Sequence, residues 1–372
     1  MQTGKQVIIC GGGLSGLIAA NQLAIAGIGV IVIEKNEYPF HRVCGEYISN
    51  ETIPFLKSLD LFPSEFNPPA ITRFQLTSIN GKSAQLPLDT GGFGISRYSF
   101  DDFLYRNARE RGAQFLLNTE AAHIGFDNDQ FIVKAGERIL QGNVVIGSFG
   151  KRSRLDISMK REFIQKRSPY TGIKYHVRTD QPSDLISLHN FNDGYCGISQ
   201  VEDQKFTLCY LTHRDNLKKY GNIKVMEEAV LFKNPFLKSL FLNSEFLYER
   251  PEVINEISFA TKQPVENHVL MAGDAAGMIT PLCGNGMALA IHSAKLVSEL
   301  VIKFFAREIT REQMEHLYHK KWNYFFARRL WVGRQIQQLF GAEWTSNLAV
   351  NLMQHVKPVA GFLIRQTHGK PF

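Results

Sequence analysis

A short apolar run followed by a glycine-rich turn constrains the fold of this chain more than any other feature. Residues 7–10 are rich in β-branched side chains and predict a buried strand, and 14–26 predict a helix. The turn between them has the spacing G-x-G-x-x-G, which lets backbone approach a pyrophosphate at the N-terminus of the helix. The residues expected to contact the phosphates are Gly11, Gly13, Leu14, Ser15 and Gly16. The pattern predicts a Rossmann-type α/β domain that binds a dinucleotide.

The next strand carries an acidic residue where such domains need one. Residues 30–33 predict a second buried strand, and Glu34 follows it, eighteen residues after Gly16. A carboxylate at this distance hydrogen-bonds a ribose hydroxyl of the dinucleotide. Lys35 comes next without an arginine cluster, which favours an unphosphorylated ribose. FAD or NAD therefore fits the pattern better than NADP.

A second glycine cluster lies far downstream of the first. Residues 268–272 predict a strand that leads into Gly273 and Asp274, and 287–306 predict a helix. A loop that feeds a helix N-terminus offers backbone donors to a polar cofactor. Asp274 is an acidic side chain there that can accept hydrogen bonds from hydroxyl groups. The pairing of this acidic loop with the first one indicates a flavin dinucleotide, whose ribityl chain needs its own hydroxyl acceptor.

The second cluster spans 273–286 and reads G-D-A-A-x-x-x-x-P-x-x-G-x-G. It resembles the flavin-binding half of the FAD-dependent hydroxylase and geranylgeranyl-reductase superfamily, whose members are similar to p-hydroxybenzoate hydroxylase. The resemblance implies that the aspartate binds the ribityl chain and that the later glycine turn lies under the pyrimidine side of the flavin. The residues that inherit these roles are Gly273, Asp274, Gly284, Asn285, Gly286 and Met287.

Two further segments resemble the same superfamily. Residues 41–46 match a basic-x-C-G-E/G segment that lines the flavin, and 97–101 match an R-x-x-F-D element. The resemblance implies that Cys44 acts as a proton donor, although it also fits a small buried hydrophobe. Glu46 is either a proton relay or a cap of the following turn. The further cofactor-binding residues predicted are Lys35, Arg42, Cys44, Gly45, Arg97 and Ala121.

Several positions depart from the hydroxylase pattern. Phe149 replaces the aspartate that the family associates with both FAD and NAD(P)H, although we still expect NADH or NADPH as a transient electron donor. Hydroxylases often have histidine at the position of Gly277. The glycine makes this chain more similar to the reductase branch. The halogenase motif W-x-W-x-I-P is absent, which argues against halogenation.

The predicted fold is α/β, with a Rossmann-type FAD-binding domain, an inserted β-sheet substrate domain and a C-terminal helical segment. The FAD-binding domain is predicted from 1–70, 92–155 and 265–300, the β-rich domain from 71–91 and 156–264, and the helical segment from 301–372. Asn80-Gly81 predicts a hairpin turn in the β-rich part. We expect no metal site.

Charge is concentrated at the C-terminal end. Residues 301–372 contain 11 Lys and Arg against 4 Asp and Glu, which accounts for the net charge of +7. An amphipathic helix of this kind either packs on the protein core or rests on an anionic membrane surface, and core packing is the more common arrangement. No nucleic-acid-binding module is recognisable. The chain also has no evident secretion signal and no apolar run of about 18 residues. We therefore expect a cytoplasmic protein, with peripheral membrane contact as an option.

The sequence predicts an FAD-dependent oxidoreductase that acts on a bulky hydrophobic small molecule. The first expectation is a monooxygenase that hydroxylates an aromatic, polyketide or quinone-like substrate. The alternatives are reduction of carbon–carbon double bonds, as in geranylgeranyl reductases, and a non-catalytic flavin-binding electron carrier.

Overall fold

The computed structural model describes residues 5–165, 167–280, 285–337, 341–355 and 369–372. Within these residues the strands are β1 (Gln6–Cys10), β2 (Gly29–Ile33), β3 (Tyr47–Ser49), β4 (Ala70–Thr77), β5 (Ser83–Gly94), β6 (Gln114–Leu116), β7 (Ala121–Asp127), β8 (Gln130–Ala135), β9 (Arg138–Gly142), β10 (Val144–Gly147), β11 (Tyr170–Arg178), β12 (Leu185–Phe191), β13 (Gly194–Gln200), β14 (Phe206–His213), β15 (Glu245–Phe246), β16 (Glu252–Asn255), β17 (Val265–Glu266) and β18 (Val269–Met271).

The α-helices of the same residues are α1 (Leu14–Ile25), α2 (Ile53–Ser58), α3 (Arg97–Glu110), α4 (Arg154–Ser158), α5 (Arg214–Tyr220), α6 (Ile223–Val230), α7 (Pro235–Asn243), α8 (Gly286–Phe305), α9 (Arg311–Trp322), α10 (Arg328–Gln337) and α11 (Glu343–His355). A π-helical segment, Asn323–Ala327, joins α9 to α10.

A six-stranded sheet forms the first layer, in the order β17-β18-β10-β1-β2-β6. Its central pairs are parallel, and β1 is buried on both faces, which explains its continuous apolar sequence. Helices α1, α3 and α8 pack beside one another over this layer. The parallel strands and their crossover helices confirm the predicted Rossmann-type architecture.

A nine-stranded sheet forms the second layer, in the order β15-β11-β14-β13-β12-β4-β5-β3, with β16 also paired to β11. Strands β4 and β5 form the hairpin predicted at Asn80-Gly81. Strand β3 lies within the predicted 1–70 piece, yet it pairs with β5 in this larger sheet. A smaller three-stranded sheet contains β7, β8 and β9.

The C-terminal segment packs one face of its helices onto the first layer. Every fourth residue from Met314 to Leu330 is buried, and this row consists of Met314, Tyr318, Trp322, Phe326 and Leu330. The Tyr318 hydroxyl donates to the carbonyl of Met271 at the end of β18, which ties α9 to the central sheet. None of the described helices is long and apolar enough to cross a membrane.

Candidate functional site

A cavity of about 1100 Å³ lies between the two large sheets. One half is lined by the glycine turns and by charged side chains, and the other half by apolar side chains of the second sheet and of α11. The predicted site residues that line it are Gly11, Gly13, Leu14, Ser15, Glu34, Lys35, Arg42, Cys44, Gly45, Glu46, Arg97, Ala121, Gly273, Asp274, Gly286 and Met287. Gly16 and Asn285 do not line it, and Gly284 falls outside the described residues.

The first glycine turn leaves the N-terminus of α1 open toward the cavity. Gly13 precedes the helix with extended backbone and no side-chain cap, and no acidic residue occupies the first turn. The first N–H groups of α1 therefore remain available to an anion. Gly16 packs against the backbone of Gly11, where any Cβ would overlap it. A Cβ at Gly13 would meet only the carbonyl oxygen of Ser148, at 3.8 Å, so this position is open to a ligand.

Glu34 is held at the end of β2 by the same turn. Its carboxylate accepts hydrogen bonds from the backbone N–H of Gly12 at 2.9 Å and of Asn36 at 3.1 Å. The side chain is 5% exposed and forms an ion pair with Arg42 at 3.4 Å. These contacts fix the carboxylate at the cavity wall. It is the carboxylate that the sequence predicts to hydrogen-bond a ribose hydroxyl.

Asp274 also lies in the charged half of the cavity, between β18 and α8. Burial raises the pKa of its carboxyl group, against the opposing effects of Lys262, Arg97 and Lys151. The carboxylate makes no hydrogen bond to the part of the chain that the structure describes, whereas its backbone carbonyl accepts one from Lys262 at 2.8 Å. The half-buried carboxylate faces the cavity, where the hydroxyl groups of a ribityl chain would provide it with polar partners.

An ion cluster in the charged half of the cavity contains Asp101, Arg97 and Arg42. Arg97 binds Asp101 through two hydrogen bonds of 2.7 and 2.6 Å, and Arg42 reaches the same carboxylate at 3.2 Å. Asp101 is 2% exposed, so both arginines are positioned by a buried anion. Open glycine positions, helix N-termini and fixed cations together match an extended anionic dinucleotide. A Cβ at Gly45 would meet no protein atom within 4 Å, and one at Gly286 would meet its nearest atom at 3.9 Å.

Glu46 is the centre of a buried polar cluster at the cavity wall. It accepts hydrogen bonds from Lys174 Nζ and Thr207 Oγ1 of the second sheet, and it is bonded to His176 Nε2 at 2.8 Å. The backbone N–H of Arg97 at the start of α3 donates to it at 2.8 Å. Burial acts to raise the pKa of Glu46, but Lys174 and His176 outweigh it, and the pKa lies well below its usual range. Such a carboxylate stays ionised, which favours a positioning role over proton transfer.

Cys44 stands beside this cluster, in the loop that separates β2 from β3. Its Sγ accepts a hydrogen bond from the backbone N–H of Glu46 at 3.5 Å. Burial raises the pKa of the thiol and nearby Glu46 raises it further, whereas Arg97 and Lys174 oppose the shift. The group is therefore a protonated thiol at neutral pH, half-buried in the cavity wall.

The second half of the cavity has an apolar lining that comes from several distant segments. It is formed by Phe74, Leu76, Leu88, Ile186, Leu188, Tyr195, Leu211, Ile254, Ile257, Leu348, Leu352 and Met353. Among the polar and aromatic side chains of the second sheet, Tyr195 lines this half. Tyr175, His176 and His189 bond to Glu227, Glu46 and Thr77 and do not line it.

Two buried cations shape the Asp274 loop and were not identified from the sequence. Arg161 is 1% exposed and donates to the carbonyls of Ala275 and Gln263 and to the carboxylates of Asp156 and Glu266. Lys262 donates to the carbonyls of Lys151 and Asp274, and burial lowers its pKa to about 8. Neither belongs to a recognisable motif, since each acts through contacts that only the tertiary structure creates.

The structure also gives a reason for Gly277. A Cβ at this position would lie 3.1 Å from Leu330 and 3.3 Å from Trp322. A larger side chain here, such as the histidine that the resemblance associates with hydroxylases, would need Leu330 and Trp322 to move. Among the described residues, no group of three or more His, Cys, Asp or Glu side chains could hold a metal ion.

Known proteins match this chain over most of its length. The FAD binding domain family matches residues 5–209, more than half of the chain. Digeranylgeranylglycerophospholipid reductase 2 of Methanopyrus kandleri is 23% identical over 90% of this chain and 86% of its own length. A tryptophan 2-halogenase of Chondromyces crocatus is 21% identical over 88% of this chain and 67% of its own length.

The fold is also shared with solved structures. A geranylgeranyl bacteriochlorophyll reductase-like protein of Thermoplasma acidophilum superposes with a TM-score of 0.76 at 16% identity, covering 99% of this chain and 97% of that one. This chain is similar to the tryptophan 2-halogenase named above, but it lacks the halogenase motif W-x-W-x-I-P. The family match, together with the geometry of the cavity, shows that the chain belongs to the FAD binding domain family and is an FAD-dependent oxidoreductase.

Proposed function

We propose that this enzyme reduces carbon–carbon double bonds in a bulky apolar substrate such as a polyprenyl chain. One observation carries the proposal. The protonated Cys44 thiol lies in the wall of a single cavity whose one half suits a flavin and whose other half is apolar. Reduction of a double bond needs a proton donor at such a junction. Two similar proteins are named as reductases, which supports the same type of reaction.

The cofactor would be held by the residues of the charged half. The N-terminus of α1 would bind the pyrophosphate, Glu34 the adenosine ribose, and Asp274 the ribityl hydroxyls. Reduced FAD would supply a hydride to one carbon of the double bond. Its electrons would come from NADH, NADPH or a reduced flavodoxin-type donor.

The chain's own residues would complete the reaction. Cys44 Sγ–H would give its proton to the second carbon, and the resulting thiolate would regain a proton from water. Arg97 and Lys174 lie close enough to stabilise that thiolate, since both lower the pKa of Cys44. The Glu46 cluster would hold the loop that carries the thiol. The apolar half would align the substrate and keep water away from it.

The proposal is tested by product analysis in the absence of oxygen. Holoenzyme reduced by dithionite is incubated with geranylgeranyl and other prenyl compounds, and products are analysed by mass spectrometry. A product heavier by two hydrogen atoms is expected from the wild-type enzyme. Loss of that product in Cys44→Ala, but not in Cys196→Ala, would support the role of the thiol, because Cys196 is buried away from the cavity.

Hydroxylation, the first expectation from the sequence, is the second candidate. The breadth of the apolar lining favours it, because side chains of six strands of the second sheet (β4, β5, β12, β13, β14 and β16) and of α11 enclose room for a ring system as well as for a chain. It requires oxygen and adds one oxygen atom to the substrate. A product formed only in air, and heavier by one oxygen atom, would replace double-bond reduction as the activity.

A further inference from the structure

The helical stretch from α9 through the π-helical segment to α10 has two contrasting faces. Its inner face is the buried row described above, which already packs on the first layer. Its outer face carries Lys320, Tyr324, Arg328 and Trp331, at spacings of four, four and three residues. Tyr324 is 80% exposed and Trp331 is 57% exposed. Lys320 and Arg328 are also exposed. Packing of the helix therefore does not account for these aromatic side chains.

Exposed apolar groups are concentrated in this part of the chain. Among the described residues, 320–348 contain five large apolar side chains that are well exposed, and the remainder of the chain contains nine. These five are Tyr324, Phe325, Trp331, Trp344 and Leu348. Isolated exposed apolar residues are ordinary on a soluble surface, but a dense group bordered by cations indicates an interaction surface.

Leu348 links this part of the chain to the cavity. It is 49% exposed, and it also lines the apolar half of the cavity together with Leu352 and Met353 of the same helix. Trp344, one turn earlier, is 74% exposed. The apolar lining therefore reaches the molecular surface at α11.

We propose that the outer face of 320–331 and the exposed end of α11 rest on an anionic lipid bilayer. Tyrosine and tryptophan sit at the headgroup level of membranes, where an apolar ring and a polar tip are both satisfied. Lysine and arginine among them attract anionic lipids. The row Lys320, Tyr324, Arg328, Trp331 contains no carboxylate, and 301–372 carry the whole net charge of the chain. A bilayer would also be the source of an apolar molecule that enters beside Leu348.

The test uses FAD-loaded enzyme and vesicles of phosphatidylglycerol and phosphatidylcholine. Binding by sedimentation is expected at low salt and should weaken as salt is raised. The chain has three tryptophans. Trp322 is buried, so changes in fluorescence report on Trp331 and Trp344. Vesicles with brominated acyl chains should quench that emission.

Two variants and a matched control locate the surface. Lys320→Gln with Arg328→Gln should lower vesicle partitioning roughly thirtyfold, from about 1 kcal/mol for each basic residue near the membrane. Tyr324→Ala with Trp331→Ala should lower it at unchanged charge. Lys218→Gln with Lys219→Gln removes two exposed cations from α5 and should leave binding nearly unchanged. The flavin spectrum of each variant checks that it is folded and loaded.

Three results would overturn the proposal. These are a lack of binding to anionic vesicles at low salt, an equal loss in the α5 control, and tryptophan emission that brominated lipids do not quench. Binding of an acidic protein to the same face in place of vesicles would also overturn it. Flavin content is measured on the same samples, so membrane binding is judged separately from cofactor binding and from the reaction.

Discussion

The two halves of the cavity are built in different ways. The charged half relies on backbone: the N-termini of α1 and α8 and the open glycines leave donors and space for a dinucleotide. The apolar half relies on side chains from strands far apart in sequence, and the buried Glu46 cluster holds it against the first half. A site made of backbone is sensitive to added bulk, whereas a site held by buried charges is sensitive to loss of a partner.

The largest expected effect is on the buried charge cluster. Lys174→Met removes the main cationic partner of Glu46, whose side chain is fully buried. We expect a loss of about 3–5 kcal/mol in the free energy of unfolding, because the buried carboxylate loses its lysine partner and is left with its hydrogen bonds to His176, Thr207 and the backbone N–H of Arg97. Urea unfolding followed by circular dichroism measures it.

Two further variants show whether the loss comes from the unpaired charge. Adding Glu46→Gln to Lys174→Met should recover part of the stability. Arg73→Met breaks an ion pair with Asp184 in the same sheet, but both partners are about 40% exposed. It should cost about 1 kcal/mol or less. Equal losses from Lys174→Met and Arg73→Met would contradict the role given to the cluster.

The next effect concerns the backbone-built half. Gly13→Ala adds one methyl group to a position that has room in the protein itself, so the fold should be kept. The methyl group would occupy the place of the pyrophosphate, and we expect FAD affinity to fall roughly a hundredfold, or about 2.7 kcal/mol. Quenching of flavin fluorescence on titration measures the affinity. Gly125→Ala has similar space, with its nearest neighbour at 3.7 Å, but lies outside the cavity and should bind FAD normally.

A smaller effect is expected where the C-terminal helices meet the flavin loop. Gly277→Val would crowd Trp322 and Leu330 and should destabilise the protein by about 1–3 kcal/mol. Leu330→Ala in the same chain should relieve part of this loss. Thermal unfolding of the single and double variants measures these losses of stability. Strictly additive losses would show that the two positions are not in contact.

The last effect is absent at neutral pH and concerns acid stability. Burial lowers the pKa of His292 in α8 to about 3, and its ring stacks on Phe372 with centroids 3.9 Å apart. Below about pH 6.5 the unfolded chain binds a proton at this histidine that the folded chain does not. The free energy of unfolding therefore falls by about 1.4 kcal/mol for each unit by which the pH is lowered.

His292→Phe keeps the stacking and removes the titration. The slope of unfolding free energy against pH, between about pH 6 and 4, should become shallower by that amount. His316→Gln changes an exposed histidine of α9 and serves as the control. An unchanged slope in His292→Phe would show that this histidine is protonated in the folded protein.

The backbone-built half was predictable from the sequence because glycine spacing and strand–helix alternation are local signals. The two glycine turns, the hairpin at Asn80-Gly81 and the β-rich character of the second layer were identified in this way. Lys174, Arg161 and Lys262 were not, because a single lysine or arginine within a strand or loop has no pattern that marks it as buried. Each has a partner far away in sequence: Gln263 lies 102 residues from Arg161, Lys151 lies 111 residues from Lys262, and Glu46 lies 128 residues from Lys174. Phe149 and Gly277 were noticed as departures, and the structure explains only Gly277.

The central claim is that Cys44 supplies a proton where the two halves meet. Rapid mixing of reduced holoenzyme with a prenyl substrate, without oxygen, tests it through the rate at which the flavin absorbance returns. Wild-type enzyme should reoxidise its flavin with the substrate, and Cys44→Ala should do so at least tenfold more slowly while binding FAD equally well. Equal rates in the two proteins, or reoxidation in neither until oxygen is admitted, would contradict the account.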